Sequence, residues 1–286
     1  MSGIWPGDTQ CVAMLTFDVD GVSSWLRRDP DFKARPSLMS MGEYGPSVAM
    51  PRILDLLDTH SIKASFYIPG YVAETHVDMV KEVISRGHEV GHHGYLHESP
   101  ASMSPHEENE ILERGIDILS EIAGEAPRGY RSPGWDLSER SLDLLADHGF
   151  LYDSSLMGDD APYIMDVGPS NKKLVEIPVQ WLLDDAPHFV YAPAANRIGP
   201  LRNPDEIYIS WSAEFDGLYR YGRAFTLTMH PQYIGRPGRL LMLERLINHI
   251  RTFPNVEFMR AKEVAQMQCT PWNPAPSVSE SPRQQS

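Results

Sequence analysis

The chain has 286 residues, long enough for one large α/β barrel, and its 42% hydrophobic content supports a substantial core rather than disorder. Its formal net charge is −14, from 25 basic and 39 acidic residues, with no Lys/Arg-rich run. That balance argues against nucleic acid and anionic membranes as partners, since both need a basic footprint. No segment approaches the roughly 18 apolar residues of a membrane span. The two cysteines, Cys11 and Cys269, lie far apart and suggest no disulfide scaffold. Met1 to Asp8 lacks the basic start and apolar stretch of a secretory signal. A cytoplasmic location is expected.

Cys11 to Phe17 is an apolar run ending at Asp18 and predicts a buried strand. Val22 to Gly45, with Pro30, Pro36 and Gly42, is expected to form a long loop or lid. Pro46 opens a helix to about His60, with Ile53, Leu54, Leu56 and Leu57 as its apolar face. Lys63 to Pro69 reads as strand, Glu74 to Arg86 as helix stopped by Gly87, and His88 to His92 as strand. Ser104-Pro105-His106-Glu107 is a strong helix start, and that helix runs to about Ala123. Pro127 to Arg131, Leu174 to Pro178, Ala224 to Met229 and Val256 to Phe258 read as strands. Ser138 to Gly149, Asp205 to Tyr219 and Arg239 to Thr252 read as helices. The alternation predicts a mostly parallel sheet with helices outside it, and an active site where the strands end. Residues 1–268 are expected to be one catalytic barrel, and 269–286, rich in Pro, Ser and Gln, a disordered tail.

The chemistry sits at those strand ends. Asp18 and Asp20 flank Val19, and residues two apart on a strand point the same way, so both can enter one pocket. His93 and His97 are four apart and share one side if the backbone turns helically there. Two imidazoles and a carboxylate from a distant strand make a three-ligand site for a divalent metal such as zinc, with a position left for water. Arg131 can pair with a carboxylate and orient it. Trp135 is either a pocket wall or core. His230, after Thr228-Met229, can supply an acid for the leaving group.

Taken in order, these stretches resemble the polysaccharide deacetylase superfamily, the NodB-like group of carbohydrate esterase family 4, over roughly residues 10 to 265. Thr16-Phe17-Asp18-Val19-Asp20-Gly21 resembles the family's Thr-Phe-Asp-Asp-Gly motif with one residue inserted. His93-Gly94-Tyr95-Leu96-His97 matches its histidine motif, and Arg131 to Pro133 its third motif. The resemblance implies a distorted parallel β/α barrel of about seven units. It makes Asp18 the catalytic base, Asp20, His93 and His97 the metal ligands, Arg131 the tether of the base and His230 the general acid. Tyr95, Pro133 and Trp135 are the expected substrate-binding positions.

The inserted Val19, the long segment after Asp20, the His230-Pro231 pair and Asp153-Ser154-Ser155-Leu156-Met157 resemble a cytoplasmic subgroup that includes cyclic imide hydrolases and commonly forms tetramers. The expected activity is therefore metal-dependent hydrolysis of a small cyclic imide or amide, with one Zn2+ as cofactor. Asp18 would take the proton of the attacking water, and a backbone N–H near Tyr95 would help hold the oxyanion. Trp25, Trp135 and Trp181 would line a compact cavity. The alternatives are N-deacetylation of an acetylated sugar or peptidoglycan, an allantoinase-like cyclic amidohydrolase, and a non-catalytic binding barrel. His93 and His97 count against a metal-free allantoinase, which lacks that pair. Met39 and Met41 suit either an interface or core packing.

Overall fold

The computed structural model describes residues 4–169, 171–199 and 201–269. Its strands are β1 (Cys11–Asp18), β2 (Ser65–Ile68), β3 (Glu89–His92), β4 (Gly129–Tyr130), β5 (Tyr152–Asp153), β6 (Tyr163–Val167), β7 (Lys172–Glu176), β8 (Tyr191–Ala192), β9 (Arg197–Ile198), β10 (Ala224–Met229) and β11 (Val256–Phe258). The helices before β4 are α1 (Ser23–Arg28), α2 (Pro36–Tyr44), α3 (Met50–Thr59), α4 (Gly70–Thr75), α5 (Val77–Ser85) and α6 (Pro105–Ala123). Those after it are α7 (Ser141–Asp147), α8 (Ala186–Phe189), α9 (Pro204–Tyr221), α10 (Pro231–Ile234), α11 (Pro237–Ile250) and α12 (Ala261–Cys269).

The main sheet runs β10-β1-β2-β3-β4-β5-β7-β6, with β11 also on β1. Every pairing from β10 to β7 is parallel. β6 then runs antiparallel to β7, from Tyr163 opposite Glu176 to Val167 opposite Lys172. The sheet curls into a half-barrel: β7 takes β6 as its outer neighbour and does not pair with β10.

β1 is buried along its whole length, as a central parallel strand with both faces covered should be. Its alternation assigns the two faces. Cys11, Ala13, Leu15 and Phe17 pack outward with Phe225 of β10 and with Leu54, Leu57 and Leu246 of the helical layer. Val12 and Met14 point inward to Tyr67, Tyr152, Val175 and the α12 residues Ala261 and Val264. α12 thus plugs the end of the barrel where the strands begin. Thr16 and Asp18 continue the inward row and emerge at the other end.

α6 follows the predicted start closely. Ser104 and Glu107 form a reciprocal capping box, and Gly124 ends the helix with φ 77°. Its middle lies hard against β3: a Cβ on Gly115 would sit 2.1 Å from His92 Nε2. Glycine lets the helix close on the sheet, where His92 Nε2 donates to the Leu112 carbonyl at 3.1 Å.

Several expectations are corrected. Val22 to Gly45 is no loop: it holds α1, a 3-10 turn over Pro30–Ala34 and α2. Pro30 and Pro36 each occupy the first turn of a short helix, where the missing N–H costs nothing. Glu74 to Arg86 divides at His76 into α4 and α5. The β6–β7 hairpin, the β8–β9 hairpin and α12 were not expected. Cys269 ends α12, while residues 270–286 of the predicted tail lie outside the described residues. Met39 and Met41 pack beside Trp25, Phe32, Leu38, Ala192 and Ala195, a satellite core joining the insertion after β1 to the β8–β9 hairpin.

Candidate active site

β1 delivers Asp18, and the chain continues through Val19 to Asp20, so both carboxylates line one cavity at the open end of the barrel. β3 ends at His92, and the following loop carries His93 and His97. That loop does not turn helically, as the four-residue spacing had suggested. Gly94 and His97 adopt left-handed φ values of 69° and 62°. Glu98 Oε2 accepts the Tyr95 and Leu96 N–H groups at 3.0 and 2.8 Å and ties the bend. The two imidazoles meet edge to face with centroids 5.2 Å apart.

Asp20 lies between them. His93 Nε2 is 3.5 Å from Asp20 Oδ1, and His97 Nε2 is 3.4 Å from Oδ2. One donor atom from each of the three residues falls within 4.8 Å of the others. His93 Nδ1 donates to the Arg131 carbonyl at 2.7 Å, which fixes the tautomer and leaves Nε2 as a lone-pair donor. Asp20 Oδ1 is buried without a hydrogen-bond partner. A cation would satisfy it, and one carboxylate with two imidazoles suits a divalent ion of the zinc type. The residues present therefore fit a metal. Burial pushes the Asp20 carboxyl up, but the charge of His97 and the imidazole of His93 hold it well below the usual carboxylate range.

Asp18 stands beside this group, with Oδ2 4.0 Å from His93 Nε2. Its Oδ1 accepts from Arg131 Nη1 at 2.9 Å. Arg131 is fully buried. It also donates to Thr16 Oγ1 at 2.8 Å, Ser154 O at 3.1 Å and Ser154 Oγ at 2.8 Å, and lies 4.2 Å above the Tyr67 ring. These contacts lock the guanidinium in one pose, so Asp18 has one pose too.

His230 follows β10. Its Nδ1 donates to Asp185 Oδ1 at 2.7 Å, and its backbone N–H reaches Asp185 Oδ1 and Oδ2 at 3.0 and 3.1 Å. Nε2 is left facing the site, 3.9 Å from Asp20 Oδ2. Burial pushes the imidazole down, but the hydrogen bond and charge of Asp185 outweigh it, so His230 titrates well above its usual value. Asp184 Oδ1 lies 3.5 Å from His230 Nδ1. Burial pushes its carboxyl up to about 7, and the His230 charge offsets only part of that. Both aspartates arrive through a single parallel bridge between Asp184 and Thr228. They and His230 also satisfy a loose metal-ligand geometry. Asp185 is already occupied by His230, however, and Asp184 by the Ala186 N–H at 2.8 Å. The cluster orients an imidazole.

The family model for polysaccharide deacetylase matches residues 33–152, which include His93, His97 and Arg131. A peptidoglycan deacetylase from Helicobacter pylori is 34% identical over 273 residues, covering 87% of this chain and 92% of that protein. The chain belongs to the polysaccharide deacetylase family. Among solved structures, a polysaccharide deacetylase-type protein from Mycobacterium smegmatis is 39% identical, with 93% of each chain covered and a TM-score of 0.89. Puue allantoinase is 26% identical, covers 92% of this chain and 91% of its own, and has a TM-score of 0.80. The half-barrel is thus the NodB-like deacetylase fold, and the protein is a hydrolase of the polysaccharide deacetylase superfamily.

In this member of the polysaccharide deacetylase family, Asp18, Asp20, His93, His97, Trp135 and His230 line one cavity of about 800 Å³. Arg131 supports them from within the barrel. Trp25 and Trp181 also line the cavity, and Trp181 stacks on Trp135 with centroids 4.3 Å apart. Tyr95 and Pro133 do not join them. The Tyr95 N–H is held by Glu98, so it cannot serve an oxyanion, and its ring lies under Arg114 at 3.4 Å, away from the cavity. Pro133 is buried against Gly94. Glu98, Asp184 and Asp185 were missed. Glu98 sits one residue after His97 and was visible as a bend-capping carboxylate. Asp185 is 45 residues from His230, and nothing local in the sequence links them.

Proposed function

We propose that this protein hydrolyses a non-peptide C–N bond in a small cyclic imide or amide, using a divalent metal held by Asp20, His93 and His97. The observation that carries the reading is the cavity itself. Two insertions, α1 and the β8–β9 hairpin, wall it, and Trp25, Trp135 and Trp181 give it aromatic sides. Such a mouth suits a compact planar molecule better than a polymer lying across an open groove. The likeness to an allantoinase agrees with this.

When bound, the ion supplies Lewis acidity at the substrate carbonyl and at the attacking water. Asp18 accepts the proton of that water, held in place by Arg131. His230, protonated through its contact with Asp185, donates from Nε2 to the departing nitrogen. The tryptophans orient the ring and exclude bulk water. N-deacetylation of an acetylated sugar is the second reading. The Helicobacter pylori relative favours it, and the same residues would perform it.

Turnover of succinimide, maleimide, hydantoin and N-acetylglucosamine oligomers, with and without chelator, tests the proposal. Cyclic substrates should turn over, and chelator should abolish it. Asp20→Ala should lose bound metal and activity together, while Asp18→Asn should keep the metal and lose turnover. Turnover of the sugar oligomers alone would replace the first reading by the second. Retained activity in Asp18→Asn would refute the assignment of the base.

A further inference from the structure

The mouth of the cavity carries a feature that the hydrolytic groups do not use. α1 contributes Arg27 and Arg28 to its lining, and the β8–β9 hairpin contributes Arg197. The two insertions are fastened together, so these side chains belong to one rim. Arg28 Nη1 donates to the Ala195 carbonyl at 2.9 Å, and Arg35 Nη1 donates to the Ala194 carbonyl at 3.2 Å. Trp25, Phe32, Ala192 and Ala195 pack beneath them.

The chain's net charge is −14, yet among the described residues none of Arg27, Arg28 and Arg197 forms an ion pair with a carboxylate. Glu107 feels the charge of Arg27, and Tyr233 that of Arg197, without an ion pair in either case. The acidic groups deeper in the cavity are accounted for differently. Asp18 is paired with Arg131, Asp20 faces the two imidazoles with which it would hold a cation, and Asp184 and Asp185 share His230. Each acid of the floor thus has a neighbour within the site, whereas the arginines of the rim have no carboxylate beside them. A basic last turn suits the C-terminal end of α1, which would explain Arg27 and Arg28. It does not explain Arg197, which lies on a hairpin and faces the same space.

We propose that the substrate of this site carries an anionic group, a carboxylate or a phosphate, which Arg27, Arg28 and Arg197 hold at the mouth while its acyl–nitrogen bond lies over Asp18 and His230. The inference rests on the C–N hydrolase reading and narrows its substrate class. Guanidinium presents paired N–H donors that match both anions, and Arg28 keeps donors beyond the one given to Ala195. The apolar walls raise the field at the rim and draw an anion in from solution. A neutral ring or sugar can accept single hydrogen bonds from these guanidiniums but forgoes the charge-assisted, paired contact.

Matched substrates test this on the full chain. Hydantoin is compared with hydantoin-5-acetic acid, and N-acetylglucosamine with N-acetylmuramic acid and N-acetylglucosamine 6-phosphate. Each is assayed with the parent protein, Arg197→Gln and Arg27→Gln/Arg197→Gln. In the parent protein, kcat/KM for the anionic member should exceed that of its neutral partner roughly tenfold or more, as charge-assisted contacts of this kind imply. That ratio should collapse toward one in the double variant, and added salt should lower it. The carboxylate and phosphate arms identify which anion the rim fits. Equilibrium binding, read by quenching of tryptophan fluorescence, requires no turnover. Arginine-dependent binding of the anionic compounds without hydrolysis would sustain this inference and overturn the hydrolase reading. Turnover of neutral members with no anion preference would do the reverse. Equal values for anionic and neutral members, a ratio unmoved by the substitutions, or no binding of either would overturn the inference.

Discussion

Arg131→Met and Asp18→Asn, made singly and together, probe the buried pair at the root of the site. Arg131 is 0% exposed, and Arg131→Met keeps much of its volume while deleting four hydrogen bonds, to Asp18, Thr16 and twice to Ser154. The Asp18 carboxylate, 2% exposed, then loses its guanidinium partner. Breaking a buried pair from one side costs about 3–5 kcal/mol, because the survivor is left desolvated and uncompensated. At about 2–4 °C of Tm per kcal/mol for a large domain, the expected fall is on the order of 10 °C. Asp18→Asn should cost less, about 1–3 kcal/mol, because an amide oxygen can still accept from Nη1 while Thr16 and Ser154 hold the rest of the guanidinium. The double variant removes the charge that Arg131→Met strands. Its cost should therefore fall short of the sum of the singles by about 2 kcal/mol or more. Urea unfolding of the four proteins at one pH measures that coupling without reference to any substrate. Additivity within about 0.5 kcal/mol would mean that the two groups do not stabilise one another, and Arg131 could not then be the partner that sets the pose of Asp18.

Asp185→Asn should leave the fold intact and lower kcat ten- to hundredfold with little change in KM, since Asp185 holds His230 through Nδ1 at 2.7 Å and does not line the cavity; an unchanged kcat would remove His230 as the acid. His88 sets an acid limit on stability. It is buried, its Nδ1 accepts the Ala64 N–H at 3.1 Å, and burial together with the charge of Lys63 pushes its pKa down to about 4. The unfolded chain takes up a proton near pH 6.5 that the folded chain refuses until about 4. The stability from neutral His88 is thus full above about pH 6.5 and drains away as pH falls toward 4. Tm should decline over that window and decline less in His88→Gln, whose amide oxygen can accept the same N–H; parallel slopes would contradict this.

The floor of the site was legible in the sequence because parallel strands converge at one end of a barrel. β1, β3 and β10 each end in a short stretch whose residue types declare their chemistry, and their register carries Asp18, the His93 loop and His230 to the same place. The fold was legible for a similar reason. Long amphipathic stretches with caps, such as α6 behind Ser104, state their own boundaries. Elements that depend on distant partners did not. β6 shows a half-exposed pattern and exists because β7 lies antiparallel beside it, and the 3-10 turn at Pro30 and α2 at Pro36 begin at prolines that looked like breakers.

The same division separates reaction from substrate. Asp18, Asp20, His93, His97, Arg131 and His230 lie at or just beyond strand ends, so local motifs point to them. Arg27, Arg28 and Arg197 lie on two insertions about 170 residues apart in the chain, and only folding sets them around one opening. Neither insertion contains a chemical motif, and an arginine met alone in a polar loop reads as ordinary surface. What gives these three meaning is the absence of carboxylate ion pairs to them among the described residues of an acidic protein, together with a floor whose acids already face partners of their own. The bond to be cut is thus declared by strand-end residues, whereas the molecule that bears it is selected at the rim by groups whose juxtaposition only the folded chain reveals.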